Sequence, residues 1–286
     1  MDTLFVFLQH IVPQHFLSRC TGWLAELRFP IGLKNWIITL FIKQFKVDMS
    51  EAEEPDPAAY PNFNAFFTRP LKEGARPLAK ADIVCPADGA ISQLGAIDES
   101  RLFQAKGQYF SLNELLGGDE TRAAQFKNGQ YATIYLSPRD YHRVHMPLAG
   151  ALTATTYIPG KLFSVNTVTA QNVPRLFARN ERLVCYFDTT AGPMAMILVG
   201  AMVVAGIETV WGGQVAPPSA EPQATDFTRK PGDVSLAKGQ EMGRFKLGST
   251  VILLFPNQSM DWDKNYVAGT ATRLGESLAK LSDALA

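Results

Sequence analysis

Leu247-Gly248-Ser249-Thr250-Val251-Ile252-Leu253-Leu254-Phe255 is the stretch that decides how this chain reads. Five apolar residues follow the Thr, three of them branched or aromatic in the way strands favour, so a β-strand begins directly after the serine. An isolated Gly-Ser-Thr is a tight turn entering a strand. The same step also carries chemistry. Ser249 Oγ can attack the Gly248 carbonyl, and glycine tolerates the twisted backbone that such an attack needs. A serine hydroxyl is a weak nucleophile until a base removes its proton. Histidine is the usual base, and a buried carboxylate commonly orients it.

Outward from this strand, the chain has 286 residues, 47% hydrophobic and 19% charged, enough to bury a sizeable core. Lys+Arg and Asp+Glu balance at 27 each, so no global charge points to nucleic acid. Cys20, Cys85 and Cys185 are odd in number and far apart. They give neither a disulfide framework nor a CxxC metal spacing, and they fit a reducing compartment.

From about residue 80 the texture is β-rich. Strand-type runs cover Tyr131 to Leu136, Leu152 to Ile158, Leu183 to Phe187, Met194 to Val199, Met202 to Val210 and Thr250 to Phe255, with Gly and Pro between them. Helices are expected at Phe63 to Arg69, Leu112 to Leu116 and Ala268 to Ala286, and a loop at Ala216 to Thr225. The absence of βαβ alternation makes the fold class α+β.

The first 46 residues differ. Apolar runs with Trp23, Trp36 and several Phe are punctuated by Pro13 and Pro30, which predicts short helices. None reaches the roughly 18–20 apolar residues needed to span a bilayer. Arg19, Arg28, Lys34, Lys43 and Lys46 face only Asp2 and Glu26. Such amphipathic, basic segments read as helices lying in a membrane interface, although core-packing helices share the pattern. Residues 1–47 are therefore read as membrane-associating helices, the acidic 48–58 as a linker, and 59–286 as a separate β-rich domain, the catalytic one if the Gly-Ser step is a reaction site.

The base and its partner have candidates. Ser137-Pro138-Arg139-Asp140-Tyr141-His142-Arg143-Val144-His145-Met146-Pro147, bracketed by prolines after a strand, reads as a polar loop with two histidines. Zinc binding by His142 and His145 lacks an evident third ligand. Cys85-Pro86-Ala87-Asp88-Gly89-Ala90 places Asp88 between apolar β-type residues, where a carboxylate needs a partner. Read alone, Asp-Gly is a turn.

Taken in order, these three segments resemble the phosphatidylserine decarboxylase family. Phe63-Asn64-Ala65-Phe66-Phe67-Thr68-Arg69, Lys106-Gly107, Tyr109-Phe110-Ser111-Leu112, Leu115-Leu116-Gly117 and Val199-Gly200-Ala201-Met202-Val203-Val204-Ala205-Gly206 add to the resemblance. It covers residues 60–255 well and the N-terminal helices more loosely. Residues after Phe255 match poorly.

The resemblance implies a proenzyme cut between Gly248 and Ser249 into residues 1–248 and 249–286. It implies that Asp88, His145 and Ser249 form the charge relay for self-cleavage. An ester formed by Ser249 would be lost by β-elimination, and the resulting dehydroalanine would hydrolyse to a covalent pyruvoyl group and ammonia. That group would form a Schiff base with the amine of phosphatidylserine and act as an electron sink while CO2 leaves. His142 is the candidate proton donor or phosphate contact. No metal is expected. The resemblance further implies a barrel-sandwich type of catalytic domain, a homodimer, and a peripheral position on the cytoplasmic face of a bacterial inner membrane. The competing readings are a membrane-associated serine hydrolase using the same three residues, a non-enzymatic membrane-anchored β-domain, and a pyruvoyl decarboxylase acting on a soluble amino acid. Ser249 lacks the Gly-x-Ser-x-Gly elbow of the hydrolases, and the membrane-like N-terminus argues against a soluble substrate.

Overall fold

The strand Ser249–Phe255 lies inside a nine-stranded antiparallel sheet, between Gly192–Val199 and Gln130–Leu136. The computed structural model describes residues 2–202, 206–215, 221–228, 234–246, 249–257 and 260–282. The sheet runs from Gln223–Asp226 through Gly150–Ile158, Arg182–Thr189 and Gly192–Val199 to Ser249–Phe255. It continues through Gln130–Leu136 and Gly89–Ala96 to Ala271–Thr272.

Both faces of the central strands of this sheet are covered, which explains why they read as unbroken apolar runs. Val251, Leu253 and Phe255 point to one core, with Met194, Met196, Leu198, Leu183 and Cys185. Ile252 and Leu254 point to the other, with Ala195, Ile197, Val199 and Val184. The first core is closed by a second, four-stranded sheet built from Arg143–His145, Glu241–Lys246, Gly206–Thr209 and Gly213–Gln214, whose Val144, Phe245, Met242 and Ile207 face inward. The second core is closed by the hairpin and short helices that carry Leu102, Phe110, Leu115 and Phe177. The result is a mixed α+β fold, β-rich, with the helices gathered mainly at the N-terminus.

The two prolines do separate three helices, α1 Asp2–Ile11, α2 Gln14–Glu26 and α3 Ile31–Phe45. A short α4, Phe63–Phe67, is capped by the Asn62 side chain, which accepts from the Ala65 amide. It joins this helical region to the sheets: Asn62 and Asn64 both donate to Glu26 of α2 at 2.8 Å. The acidic stretch 48–58 is tied down. Ala52 is buried, Glu51 pairs with Arg76 and Arg273, and Lys34 of α3 turns inward to the Ala58 and Tyr60 carbonyls. Lys34 thus leaves the basic face that the sequence suggested.

Two expectations fail. The helix expected at Ala268 to Ala286 is two strands through residue 282, Ala271–Thr272 and Ser277–Leu281, with residues 283–286 outside the description. Ser277–Leu281 adds to Ile83–Val84 and Met260–Trp262 and buries Leu278 and Ala279, so pairing and packing override the helix propensity of Leu, Ala and Lys. In the loop expected at Ala216 to Thr225, residues 223–225 form part of an edge strand against Gly150–Ile158. Residues 216–220 lie outside the described set.

Candidate active site

Backbone pairing assembles the site at one end of the large sheet. Ser249 is opposite Leu136, and the polar segment with both histidines begins at the next residue, Ser137. Ser137 donates from its amide and its hydroxyl to Asp140 Oδ2 at 2.6 and 2.7 Å, which bends the chain out of the sheet. The chain then enters the second sheet, where Arg143 pairs with Arg244 and His145 with Glu241. The Phe245 amide donates to the His142 carbonyl at 3.0 Å. The histidine segment therefore pairs with the strand before the Gly248–Ser249 step and abuts the strand after it. Leu247 and Gly248 themselves lie outside the described residues, and Ser249 is described through its backbone.

Asp88 reaches the same end from the neighbouring strand, whose Ala90 is opposite Tyr135. Gly89 permits this approach. A Cβ there would sit 2.3 Å from the Tyr135 carbonyl oxygen, a backbone atom that cannot swing aside.

The ring contacts assign the protons. His145 Nδ1 is 2.9 Å from the Gly239 carbonyl, which only accepts, so Nδ1 carries the hydrogen. Its Nε2 then holds a lone pair and faces the Tyr141 hydroxyl at 3.2 Å. Burial pushes His145 below the ordinary histidine range, against the Gly239 carbonyl and the charges of Glu241 and Asp88, which raise it. A neutral His145 whose Nε2 carries the lone pair is the form a general base requires, and the Tyr141 hydroxyl must yield that lone pair before it takes another proton. Burial likewise drives the Tyr141 hydroxyl up to about 12.

His142 is similar but deeper. Its Nδ1 donates to the Asp140 carbonyl at 2.8 Å, and its ring lies on Phe67 of α4 with centroids 4.0 Å apart. Complete burial pushes its pKa down to about 3. His142 Nε2 is buried without a partner, as is Thr250 Oγ1 one residue past the Gly-Ser step. Buried unpaired polar atoms are costly, and at a site they mark positions kept for a reacting group. As a neutral acceptor, His142 Nε2 must take up a proton before it can donate one.

Asp88 and His145 are brought close without a hydrogen bond between their side chains. The His145 amide donates to the Pro86 carbonyl at 2.8 Å, and the Asp88 charge acts on His145, Tyr141 and Asp140. The Asp88 carboxylate itself is gripped by Arg76 and by the Leu274 amide at 2.8 Å. Sequence reasoning missed Arg76, Tyr141 and Gly239. Tyr141 stood inside the quoted polar motif. A backbone carbonyl such as that of Gly239 leaves no sequence signal. Among the described residues, no group of three or more His, Cys, Asp or Glu side chains is placed to hold a metal ion.

Comparison with known proteins places the chain among relatives of one family. The family model described as phosphatidylserine decarboxylase matches residues 63–280, and a second, described as PSD, matches residues 4–46. The phosphatidylserine decarboxylase proenzyme of Ectopseudomonas mendocina is 60% identical over 279 residues, covering 96% of this chain and 97% of its own. That of Marinobacter nauticus is 56% identical over 285 residues, covering 99% of both chains. That of Hahella chejuensis is 54% identical over 287 residues, covering 100% of this chain and 96% of its own. The chain belongs to the phosphatidylserine decarboxylase family. The match extends through the C-terminal segment to residue 280, beyond the motifs that carried the resemblance.

Proposed function

We propose that this protein is a self-processing phosphatidylserine decarboxylase that cuts itself between Gly248 and Ser249 and yields phosphatidylethanolamine at a membrane surface. The observation that carries the reading is the register of Ser249 against Leu136, with the histidine segment starting at the next residue. His145, neutral and with Nε2 as its lone pair, takes the Ser249 hydroxyl proton. The charge of Asp88 stabilises the imidazolium that results.

Cutting at this point does not release residues 249–286. Their first seven residues form an interior strand of the large sheet, hydrogen-bonded on both sides. Ser277–Leu281 also remains bonded to Ile83–Val84. The two products stay one folded body.

A pyruvoyl ketone derived from Ser249 supplies an electron sink for loss of the carboxylate. The residues present suit that group: His142 Nε2, in the segment that follows the strand paired with Ser249, and Thr250 Oγ1, on the next residue, are buried without a partner. The substrate ammonium gives up its proton to solvent before its nitrogen reacts, and His142 Nε2 relays a solvent proton to the α-carbon after CO2 has left.

The N-terminal helices supply the lipid surface contact. Trp23, Leu24, Phe29, Trp36, Ile37 and Leu40 are exposed, and an apolar groove of about 400 Å³ lies between α2 and α3. Arg19, Arg28, Lys43 and Lys46 are exposed on the same helical region. Among the described residues, no helix is long and apolar enough to cross a membrane. The reading extends to peripheral attachment on the cytoplasmic face of an inner membrane and to a homodimer, the latter tested by sedimentation of the intact protein.

Purified protein should run as two pieces under denaturing conditions, the smaller being residues 249–286 with a blocked N-terminus. Ser249→Ala should leave one full-length chain without decarboxylase activity. An active, uncut wild-type chain overturns the reading. His142→Ala should be cut yet release CO2 at least about 100-fold more slowly, the scale of a lost acid–base group.

A further inference from the structure

Asp88 has a partner that the charge relay does not require. Arg76 Nε is 3.0 and 3.2 Å from the two Asp88 oxygens, and Arg76 Nη2 is 2.5 Å from Oδ2. The same Nη2 donates to Glu51 at 2.8 Å, and Nη1 to the Ala75 carbonyl at 2.8 Å. Glu51 in turn meets Arg273. The Arg76 and Asp88 side chains are only 10% and 13% exposed, so solvent screens their pairing weakly. Four charges therefore form a closed cluster of zero net charge. It joins the acidic stretch (Glu51), the loop before the first sheet strand (Arg76), the site (Asp88) and the part of the chain beyond the cut (Arg273).

His145 has no hydrogen bond to spare for Asp88, because Gly239 holds Nδ1 and Tyr141 faces Nε2. Asp88 acts on it through space. The groups with charge or a titrating proton that face His145 are Asp88, Glu241, Arg143 and Tyr141. Asp88 is paired with Arg76 directly and, through it, with Glu51 and Arg273, and its charge also reaches Arg69, Cys85, Asp140 and Tyr141.

We propose that Arg76 is a positioning residue for self-cleavage, fixing the Asp88 carboxylate and setting how much of its negative charge reaches His145. The inference rests on the reading of Asp88, His145 and Ser249 as the self-cleavage residues. It gives the Glu51–Arg76–Asp88 cluster a task besides holding the segments together: it tunes the base.

The sign follows from charge. An uncompensated Asp88 favours protonated His145, which is useless as a base. Arg76 offsets Asp88, so His145 stays neutral to lower pH. Removing the charge of Arg76 should move the rising limb of the cleavage rate to higher pH. Removing Glu51 leaves Arg76 wholly to Asp88 and takes away a negative charge, so the limb should move to lower pH.

The test uses the full chain made by cell-free synthesis and pulse-labelled. It is chased between pH 5 and 9 while the fragment 249–286 is followed on denaturing gels. Arg76→Gln should raise the limb by roughly half a pH unit or more, a shift expected for an uncompensated buried neighbour. Arg76→Lys keeps the charge and should restore the wild-type limb. Glu51→Gln should shift it the other way. A merely structural role would lower the rate in all three without moving the limb. An unmoved limb, or shifts of the same sign in Arg76→Gln and Glu51→Gln, overturns the inference. Should Arg76→Gln not fold, the contrast between Arg76→Lys and Glu51→Gln decides it. Failure of the underlying reading looks different: the wild-type chain would then remain uncut, or Ser249→Ala would still be cut.

Discussion

The large sheet and the N-terminal helices are both strongly apolar, yet they spend that character in opposite directions. In the sheet, Val251 through Phe255 are fully buried, alternating between two cores. Among the described residues, thirteen of the seventeen exposed large hydrophobic side chains lie in α1–α3 and the turns joining them, Trp23, Phe29 and Trp36 among them. A soluble surface rarely gathers so many apolar side chains in one place without something to cover them. Hydrophobic content alone therefore says little; what matters is which surface the chain leaves uncovered. The site lies where the two regions meet, with the ring of Phe67 of α4 against His142 and Glu26 of α2 holding Asn62 and Asn64.

The sharpest way to break this contrast is to remove matched apolar groups from each region. Ile252 is wholly buried at the centre of the sheet. Ile252→Ala should cost about 2–5 kcal/mol of unfolding free energy, the range for a core cavity at a site that cannot collapse. Chemical denaturation of the cut protein and of Ser249→Ala would both show it. A loss under about 1 kcal/mol would mean that the sheet centre repacks freely and is no rigid seat for the cut.

A smaller effect comes from a histidine set fully into the buried region. His142 stays neutral in the fold down to about 3, whereas in the unfolded chain it takes up a proton near 6.5. Between those values the unfolded state binds more protons, so its contribution to stability is present above about 6.5 and is lost as pH falls towards 3. The slope is at most about 1.4 kcal/mol per pH unit. Compared with wild type, His142→Phe should flatten stability between pH 6.5 and 5 by part of that amount. Parallel curves would mean that His142 is open to water.

The same contrast shows what could be read from the sequence. Strands buried on both faces announce themselves as unbroken apolar runs, as at Gln130–Leu136, Arg182–Thr189, Gly192–Val199 and Ser249–Phe255. Of the run expected at Met202 to Val210, by contrast, only Gly206–Thr209 is a described strand, residues 203–205 lying outside the described set. Asp88, His142, His145 and Ser249 could be picked out as candidates because each stands in a polar or glycine-bearing break between apolar segments, and the fold brings those segments to one end of the large sheet. Ser277–Leu281 was misread because its Leu, Ala and Lys favour helix locally, while the pairing that makes it a strand comes from Ile83–Val84, nearly two hundred residues away. The grip of Arg76 on Asp88 was hidden for a related reason. Arg76 sits in an ordinary Gly-Ala-Arg-Pro turn, and only the fold brings it to the carboxylate. The Gly239 carbonyl that orients His145 belongs to the backbone and has no side-chain signature.

The smallest effect on stability should accompany a plain effect on location. Trp23 and Trp36 are 67% and 61% exposed and bury little of their surface in this chain. Replacing both by serine should change unfolding free energy by no more than about 0.5 kcal/mol each, as for surface positions without a special contact. If these rings enter a lipid interface, the same pair of changes removes apolar area that is buried on binding. Vesicles of phosphatidylserine should then bind the variant at least about tenfold more weakly, since one decade needs only about 1.4 kcal/mol and one buried large side chain supplies that much. Self-cleavage should continue, because the cut is made within the sheets. Turnover of a short-chain, soluble phosphatidylserine should also persist, while turnover of the vesicle-borne lipid should fall. Equal loss on both substrates would place the helices in the site itself, and unchanged vesicle binding would assign their exposed face to another protein surface.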